Sequence, residues 1–283
     1  MLFLDGSMIP ADKQTIEFLS PGILNAKGVL ETMRSYQGNV FLLDQHLERL
    51  AQGLRILRIK APCSTKKIKK YIDLSLRLNP KDARVRLMVW QKERKTHIAV
   101  MSLPYHPFSV KKYRQGFHAM MSHIRRNTPA RWSWVKALQD ISLFKAYQEA
   151  MNQGSDEALL LNQRGELVEG SRSNVFLVIN GELWTPSLEC GCLRGVTRDA
   201  VITLARRLER KVRMTRIKPD AFQKAQEAFL TNSLLEIMPL TSVNDRKIGS
   251  GKMGSLTFQL LKQYRTLIAD YQFSVCSAVA HRL

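Results

Sequence analysis

Glu169-Gly170-Ser171-Arg172-Ser173-Asn174-Val175-Phe176 is the stretch on which the reading of this chain turns. Its first half is short and polar around Gly170, as a turn requires. Its second half opens an apolar run to Ile179 that reads as a strand. Upstream, Glu157-Ala158-Leu159-Leu160-Leu161 reads as another strand with Gln163-Arg164-Gly165 as its turn. Downstream, Asn180-Gly181 turns the chain again, and Val196 to Arg210 reads as a helix entered through Gly195.

The same reading extends outward. Met1 to Met8 is a short apolar strand turned by Asp5-Gly6, and Gly28 to Tyr36 pairs with Asn39 to Leu43 across Gln37-Gly38. Asp44 is expected to cap a helix through Leu57, with Leu47, Leu50, Leu54 and Leu57 at helical spacing. Ser64 caps a second helix through Leu78, closed by Asn79-Pro80. Ala83 to Gln91 and Thr96 to Leu103 read as strands around a polar turn at Lys92 to Lys95. Pro104-Tyr105-His106-Pro107 is the linker expected between a small domain, 1–106, and a larger one, 107–283. Beyond it, Gly116 to His123 and Ala130 to Leu138 read as strands. Asp140 opens a helix to Gly154 with Leu143, Phe144, Tyr147 and Met151 on its core face. Ala228 to Asn232 reads as a strand and Ser255 to Ile268 as a helix. The order is mixed α and β, without a regular βαβ repeat.

The chain has 283 residues, 45% hydrophobic and 24% charged. That suits a globular protein of about two domains and excludes disordered, collagen-like and disulfide-scaffold classes. The net charge of +20 points first to a polyanion. The basic runs, Lys66 to Lys70 and Arg206 to Lys211, are nevertheless dispersed and read as solvated helix faces, with no RNP-like or zinc-finger spacing beside them. No nucleic-acid partner is expected. The N-terminus lacks the pattern of a signal peptide, and no apolar stretch approaches the ~20 residues of a membrane span. Cys63, Cys190, Cys192 and Cys276 are expected as reduced cytoplasmic thiols, and no metal site is expected at Cys190-Gly191-Cys192. Gly249-Ser250-Gly251-Lys252-Met253-Gly254 fits G-x-G-x-x-G but lacks a clear following strand, so it reads as a loop. Four S-x-x-K matches, at Ser64, Ser109, Ser133 and Ser142, lack the companion motifs of a serine acyl enzyme.

Three segments carry chemistry together. They are Gly28-Val29-Leu30-Glu31-Thr32-Met33-Arg34 with Phe41 to Leu50, then Glu169 to Phe176 with Gly195-Val196-Thr197-Arg198, and Glu227 to Ile237 with its core Thr231-Asn232-Ser233-Leu234-Leu235-Glu236-Ile237. In order and spacing the chain resembles the class IV pyridoxal-phosphate (PLP) aminotransferases, from about Phe3 to about Tyr264. That family includes branched-chain and D-amino-acid aminotransferases and 4-amino-4-deoxychorismate lyases. The resemblance implies a two-domain α/β (α+β) fold of PLP type IV, pyridoxal 5'-phosphate as cofactor, and a homodimer. It implies Lys136, at the family's spacing ahead of Glu149-Ala150, as the Schiff-base lysine. Its apolar setting of Trp132, Trp134, Val135 and Leu138 suits an amine that must lose its proton. The resemblance further implies Glu169 at the pyridine nitrogen, and Arg49, Val196, Thr197, Asn232 and Ser233 around the phosphate. Lys136 and Glu169 are expected from the larger domain and Arg49 from the first.

Some positions depart from the family's pattern. Leu30, a substrate-pocket position, replaces a frequent aromatic, and Gln139 replaces a frequent Asn. Arg94 and His97 are not at the spacing that holds a carboxylate in some D-amino-acid members. Joint presence of Lys136, Glu169 and Arg49 argues against a mere binding protein on this fold. Transamination of branched-chain amino acids with a 2-oxo acid is favoured, and the lyase reaction yielding 4-aminobenzoate and pyruvate stays open.

Overall fold

The computed structural model describes residues 2–10, 26–78 and 82–280, with side chains through residue 273. The Asn79-Pro80 helix stop and the Cys276 side chain lie outside what is described. Two compact units are present: residues 1–106 with 134–139 and 268–283, and residues 107–133 with 140–267.

The first unit is built on a six-stranded sheet. In chain order its strands are β1 (Leu2–Leu4), β2 (Ser7–Ile9), β3 (Lys27–Tyr36), β4 (Asn39–Val40), β5 (Ala83–Lys92) and β6 (Lys95–Pro104), and in space they run β2-β1-β6-β5-β3-β4. Every pair is antiparallel. Helices α1 (Leu43–Ile56) and α2 (Thr65–Arg77) follow β4. The stripe Leu47, Leu50, Leu54 and Leu57 is buried as the helical period requires. Ser64 caps α2, accepting the Lys67 N–H at 3.3 Å. Asp44 does not cap α1. Leu42, left-handed at φ 54°, precedes the helix without a side-chain cap. Asp44 instead sits in the first turn, where a carboxylate complements the helix dipole, and pairs with Lys69 at 2.5 Å.

The second unit holds a nine-stranded mixed sheet. Its strands are β7 (Phe117–Arg125), β8 (Glu157–Leu161), β9 (Leu167–Gly170), β10 (Asn174–Ile179), β11 (Glu182–Pro186), β12 (Val212–Thr215), β13 (Glu227–Asn232), β14 (Glu236–Val243) and β15 (Arg246–Lys247). The order is β12-β11-β10-β13-β14-β7-β8-β9, with β15 on β14. Three neighbouring pairs, β11/β12, β14/β7 and β7/β8, are parallel. Helices α3 (Val110–Gln115), α4 (Ile141–Asn152), α5 (Val196–Arg207) and α6 (Ala221–Lys224) belong here, and α7 spans Ser255–Ala280. β8, β10, β13 and β14 are buried nearly throughout, and Phe176 stacks on Phe229 with ring centroids 4.9 Å apart.

Two further expectations need correction. Ala130 to Leu138 is not a strand. Pro129 starts a 3-10 turn over Ala130–Trp132, closed by Trp132 N–H to Pro129 and Ser133 N–H to Ala130, and only Ala137 forms an isolated bridge, to Val29. On α4, Ala146 and Ala150 are buried and Leu143 packs beside them, whereas Phe144 and Met151 are 57% and 50% exposed. The small alanines allow the helix to lie close on β7 and β8, and that face, not the bulkier one, meets the sheet. Among the described residues no helix is long and apolar enough to cross a membrane.

Candidate active site

Lys136 lies in the extended piece after the Pro129 turn, and that piece is bound to the first unit. The Leu30 N–H donates to the Lys136 carbonyl at 2.9 Å, and the Leu138 N–H to the Gly28 carbonyl at 3.0 Å. This short antiparallel contact along β3 groups Lys136 with the first unit, not with the second where it was expected. Lys136 is half-buried, as is Leu30.

Beside this segment is a buried ionic cluster. β3 alternates, so Val29, Glu31, Met33 and Ser35 share the buried face. Glu31 is 1% exposed, among apolar neighbours, and so requires partners. Helix α1 supplies them at i and i+3. Arg49 donates Nε to one Glu31 oxygen at 2.8 Å and Nη2 to the other at 2.6 Å, and His46 Nδ1 lies 2.7 Å from that second oxygen. Burial alone would push the Glu31 carboxyl up, but Arg49 and His46 outweigh it and hold the pKa at about 2. Burial also lowers the His46 pKa, against the pull of Glu31, and the charges of Arg49 and Lys136 add to the lowering. At neutral pH His46 is therefore uncharged, with its Nδ1 proton donated to Glu31. Two of Arg49's donors thus serve Glu31, and the ionic cluster fixes its guanidinium plane.

In the second unit, Glu169 is the penultimate residue of β9 and is 4% exposed. One of its oxygens accepts the Leu193 N–H at 2.9 Å, and the other lies 2.5 Å from Arg126 Nε. Arg126 is itself buried and reaches Asp140, the N-cap of α4, through Nη1 at 2.5 Å. Burial opposes the Arg126 charge, and Glu169 and Asp140 more than offset it, so its pKa is raised. Glu169 is therefore a rigidly held carboxylate in a charge-assisted frame.

The loops expected at a phosphate are in the same unit. Gly195 caps α5 without a side chain, and the helical ladder starts with Asp199 N–H to the Gly195 carbonyl. Val196 and Thr197 thus occupy the first turn, whose N–H groups precede that ladder. A Cβ on Gly195 would collide with the Asn174 side-chain amide, which itself donates to the Leu193 carbonyl at 2.8 Å. Asn232 acts through the backbone: its Oδ1 accepts the Leu234 and Leu235 N–H groups at 2.9 and 2.7 Å, and its Nδ2 donates to the Arg172 carbonyl at 2.8 Å. Asn232 therefore shapes the loop that carries Ser233. Next to it, the buried Thr231 hydroxyl has no hydrogen-bond partner among the described residues.

These residues fit pyridoxal 5'-phosphate. A carboxylate has about four acceptor positions, so Glu169 can take a ring N–H besides its present donors. A helix N-terminus capped by glycine, a hydroxyl at Thr197 and an unmatched hydroxyl at Thr231 are donors of the kind a phosphate dianion requires.

Asp140 reads from the sequence as a helix start, which it is, and Glu31 and His46 appear there only within motif segments; no site role falls to these three or to Arg126. Glu31 had a signal, an acid on the apolar register of a strand; Arg126 had none, because its partners are distant in sequence. The two misleading patterns have structural explanations. Ser64 and Ser109 of the S-x-x-K matches are helix N-caps, each accepting the N–H of the lysine three residues on. At the glycine-rich loop, Glu227 caps α7 from within, accepting the Leu256 N–H at 3.0 Å and the Thr257 N–H and hydroxyl at 2.7 Å. A carboxylate of the chain already fills the position a dinucleotide phosphate would need.

Comparison with known proteins agrees with this geometry. The model of the family described as amino-transferase class IV matches residues 28–243. An aminodeoxychorismate lyase of Bacillus subtilis is 33% identical, with 95% of each chain covered. A probable branched-chain-amino-acid aminotransferase of Aquifex aeolicus is 30% identical, over 93% of this chain and 90% of that one. The crystal structure of the Escherichia coli branched-chain amino acid aminotransferase superposes with a TM-score of 0.87 at 25% identity, covering 94% of both chains. A family match over most of the chain, on a fold shared along nearly its full length, has one reading: the chain belongs to the amino-transferase class IV family.

Proposed function

We propose that this protein is a PLP-dependent aminotransferase moving an amino group between an amino acid, of branched-chain type, and a 2-oxo acid. The observation that carries the reading is Glu169, a buried carboxylate set between Arg126 and the Leu193 N–H. When bound, the cofactor supplies an electron sink for charge developing at the substrate α-carbon. Glu169 accepts the ring N–H and, framed by Arg126, keeps that proton in place. Lys136 Nζ is the covalent anchor; once released, it takes the α-proton and returns it at a different carbon. Arg49, oriented by Glu31, presents its guanidinium to the phosphate, and Val196, Thr197 and Ser233 add donors. Leu30 lines the pocket with an apolar side chain, which suits an aliphatic substrate.

The lyase reading keeps a specific support, the 33% identity to the Bacillus subtilis lyase. One experiment separates the two. Purified protein is incubated with leucine and 2-oxoglutarate, and in parallel with aminodeoxychorismate. Glutamate formation is the expected result; 4-aminobenzoate and pyruvate without glutamate would replace the transaminase reading by the lyase. Lys136→Ala should abolish covalent attachment of the cofactor, and an unchanged cofactor spectrum in that variant would sink the assignment of Lys136.

The same proposal includes a homodimer in the cytoplasm. Ile141, Phe144 and Met151 form an exposed apolar face on α4, at 63%, 57% and 50% exposure, which a second copy would cover. The unpaired thiols of Cys63, Cys190 and Cys192 suit a reducing compartment.

A further inference from the structure

Glu157 opens β8 and is 2% exposed, yet among the described residues no cation pairs with it. Its Oε1 accepts the Ser171 hydroxyl and, at 3.0 Å, the Ala158 N–H. Its Oε2 accepts the Ser173 hydroxyl at 2.8 Å and the Arg172 N–H at 3.3 Å. Three of the four donors come from the turn that follows Glu169. A carboxyl buried without a cation is costly unless such donors converge on it, and burial does raise its pKa. Gly170 leaves room for it: a Cβ there would collide with the Ser173 hydroxyl and come within 3.1 Å of the Glu157 carboxyl. The turn is built around this one side chain.

The turn also touches a second loop. The Arg172 carbonyl accepts Asn232 Nδ2, and Asn232 in turn fixes the Leu234 and Leu235 N–H groups. A single network therefore runs from Glu157 through residues 171–173 to residues 232–235. It joins the Glu169-to-Phe176 and Thr231-to-Ile237 motifs, which are otherwise remote in sequence.

We propose that Glu157 is a positioning residue. It clasps the 170–173 turn and, through Arg172 and Asn232, sets the 232–235 loop, so that Glu169 and the donors of both loops are fixed before the cofactor arrives. The proposal rests on the assignment of Glu169 to the cofactor ring.

Glu157→Gln preserves shape but turns an acceptor into a donor facing donors. Hydrogen–deuterium exchange on the full-length apoprotein should show the 171–174 and 232–235 amides exchanging faster together, by about tenfold. Titration of the apoprotein with pyridoxal 5'-phosphate should give a dissociation constant raised by about tenfold. The pH midpoint of the bound cofactor's visible band should move, while borohydride reduction still traps the cofactor on Lys136. Ser173→Ala, which removes one donor and keeps the carboxyl, should give the same pattern in weaker form, and it carries the test if Glu157→Gln does not fold. Loosening confined to 171–174, with 232–235 and the pH midpoint unchanged, would overturn the proposal, because Glu157 would then support only its own turn. Failure of the wild-type protein to bind the cofactor would defeat the functional reading instead, and the exchange comparison, which needs no cofactor, would still decide the clasp.

Discussion

Replacing Glu31 by Gln tests whether the buried cluster of the first unit is the ionic clamp its geometry describes. Glu31 is 1% exposed and its pKa falls from the ordinary 4.5 to about 2, against the opposing effect of burial. A folded-state pKa below the unfolded value means stability that is present above pH 4.5 and lost as the pH falls through about 2. The size follows from the two values: about 3 kcal/mol at neutral pH, of which about 2 kcal/mol survives at pH 3.5. In Glu31→Gln, Arg49 stays buried without its counter-charge, a loss on the order of 3–5 kcal/mol. His46, lowered mainly by burial, likewise contributes stability above its ordinary 6.5 that fades as the pH falls. Glu31 itself raises the His46 pKa, so the contribution does not cancel between the two proteins; placing His46→Gln in both the wild-type and the variant background removes it. The measurement is hydrogen exchange of the β3 and β5 amides at several pH values, corrected for intrinsic rates, in wild type and variant. At pH 7 the gap should be at least about 3 kcal/mol, narrowing by about 1 kcal/mol by pH 3.5. A gap below about 1 kcal/mol, or one flat from pH 6 to 3.5, would refute the clamp and with it the orientation of Arg49 by Glu31.

Further tests address other parts of the molecule. Arg126→Met leaves Glu169 and Asp140 without their shared cation; it should cost about 3–5 kcal/mol in urea unfolding and weaken cofactor binding, and unchanged cofactor affinity would remove Arg126 from the site. Burial pushes the Cys192 thiol up to about 12, so iodoacetamide at pH 8 should label half-buried Cys63 before it; early modification of Cys192 in the folded protein would contradict its burial. Phe144→Glu with Met151→Glu should shift the sedimentation coefficient toward a monomer if α4 carries the interface, and an unaltered dimer would place that interface elsewhere.

The legible parts of the sequence were those governed by local rules. The α1 stripe and the Ser64 cap follow from periodicity and hydrogen-bond geometry within a few residues, and the structure contains both. Ala130 to Leu138 misled because its apolar composition imitates a strand, while Pro129 and the availability of a single partner, β3, decided otherwise. Helix α4 misled in another way. Its large apolar residues read as inward-facing, whereas Ala146 and Ala150 provide the close approach. At the candidate site, motif residues were visible but their supports were not. Arg126 meets Glu169 across 43 positions, and no local rule links them. Glu157 was closer to derivable. The hairpin register pairs Leu159 with Gly170, so continuing it places Glu157 opposite Arg172, at the centre of the turn it holds. A buried acid on a strand, read together with hairpin register, is thus a usable signal.

That observation also bears on the net charge of +20. The buried carboxyl groups among the described residues are six glutamates, at 31, 157, 166, 169, 227 and 236, against four buried arginines, at 34, 49, 126 and 198, and His46 is buried uncharged beside them. The interior is thus slightly acidic, and the positive excess lies outside it. Nor is the excess directed at the candidate site, since Arg49 is matched by Glu31, and Arg126 by Glu169 and Asp140. An open cleft of about 610 Å³ in the second unit is lined by Lys111, Lys112, Arg114, His118 and Lys252, and none of the residues expected at the cofactor borders it. Within that cleft Lys112 is already paired with Asp156. A single phosphate needs only a few oriented donors, and on the proposed reading glycine-capped α5 offers them. Surface charge acts over about 8 Å at physiological salt and without orientation, so it can speed the approach of an anion but cannot choose the chemistry. On the proposed reading the choice of chemistry resides in buried carboxylates: Glu169 for the cofactor ring, Glu31 for the arginine and Glu157 for the turn between the motifs.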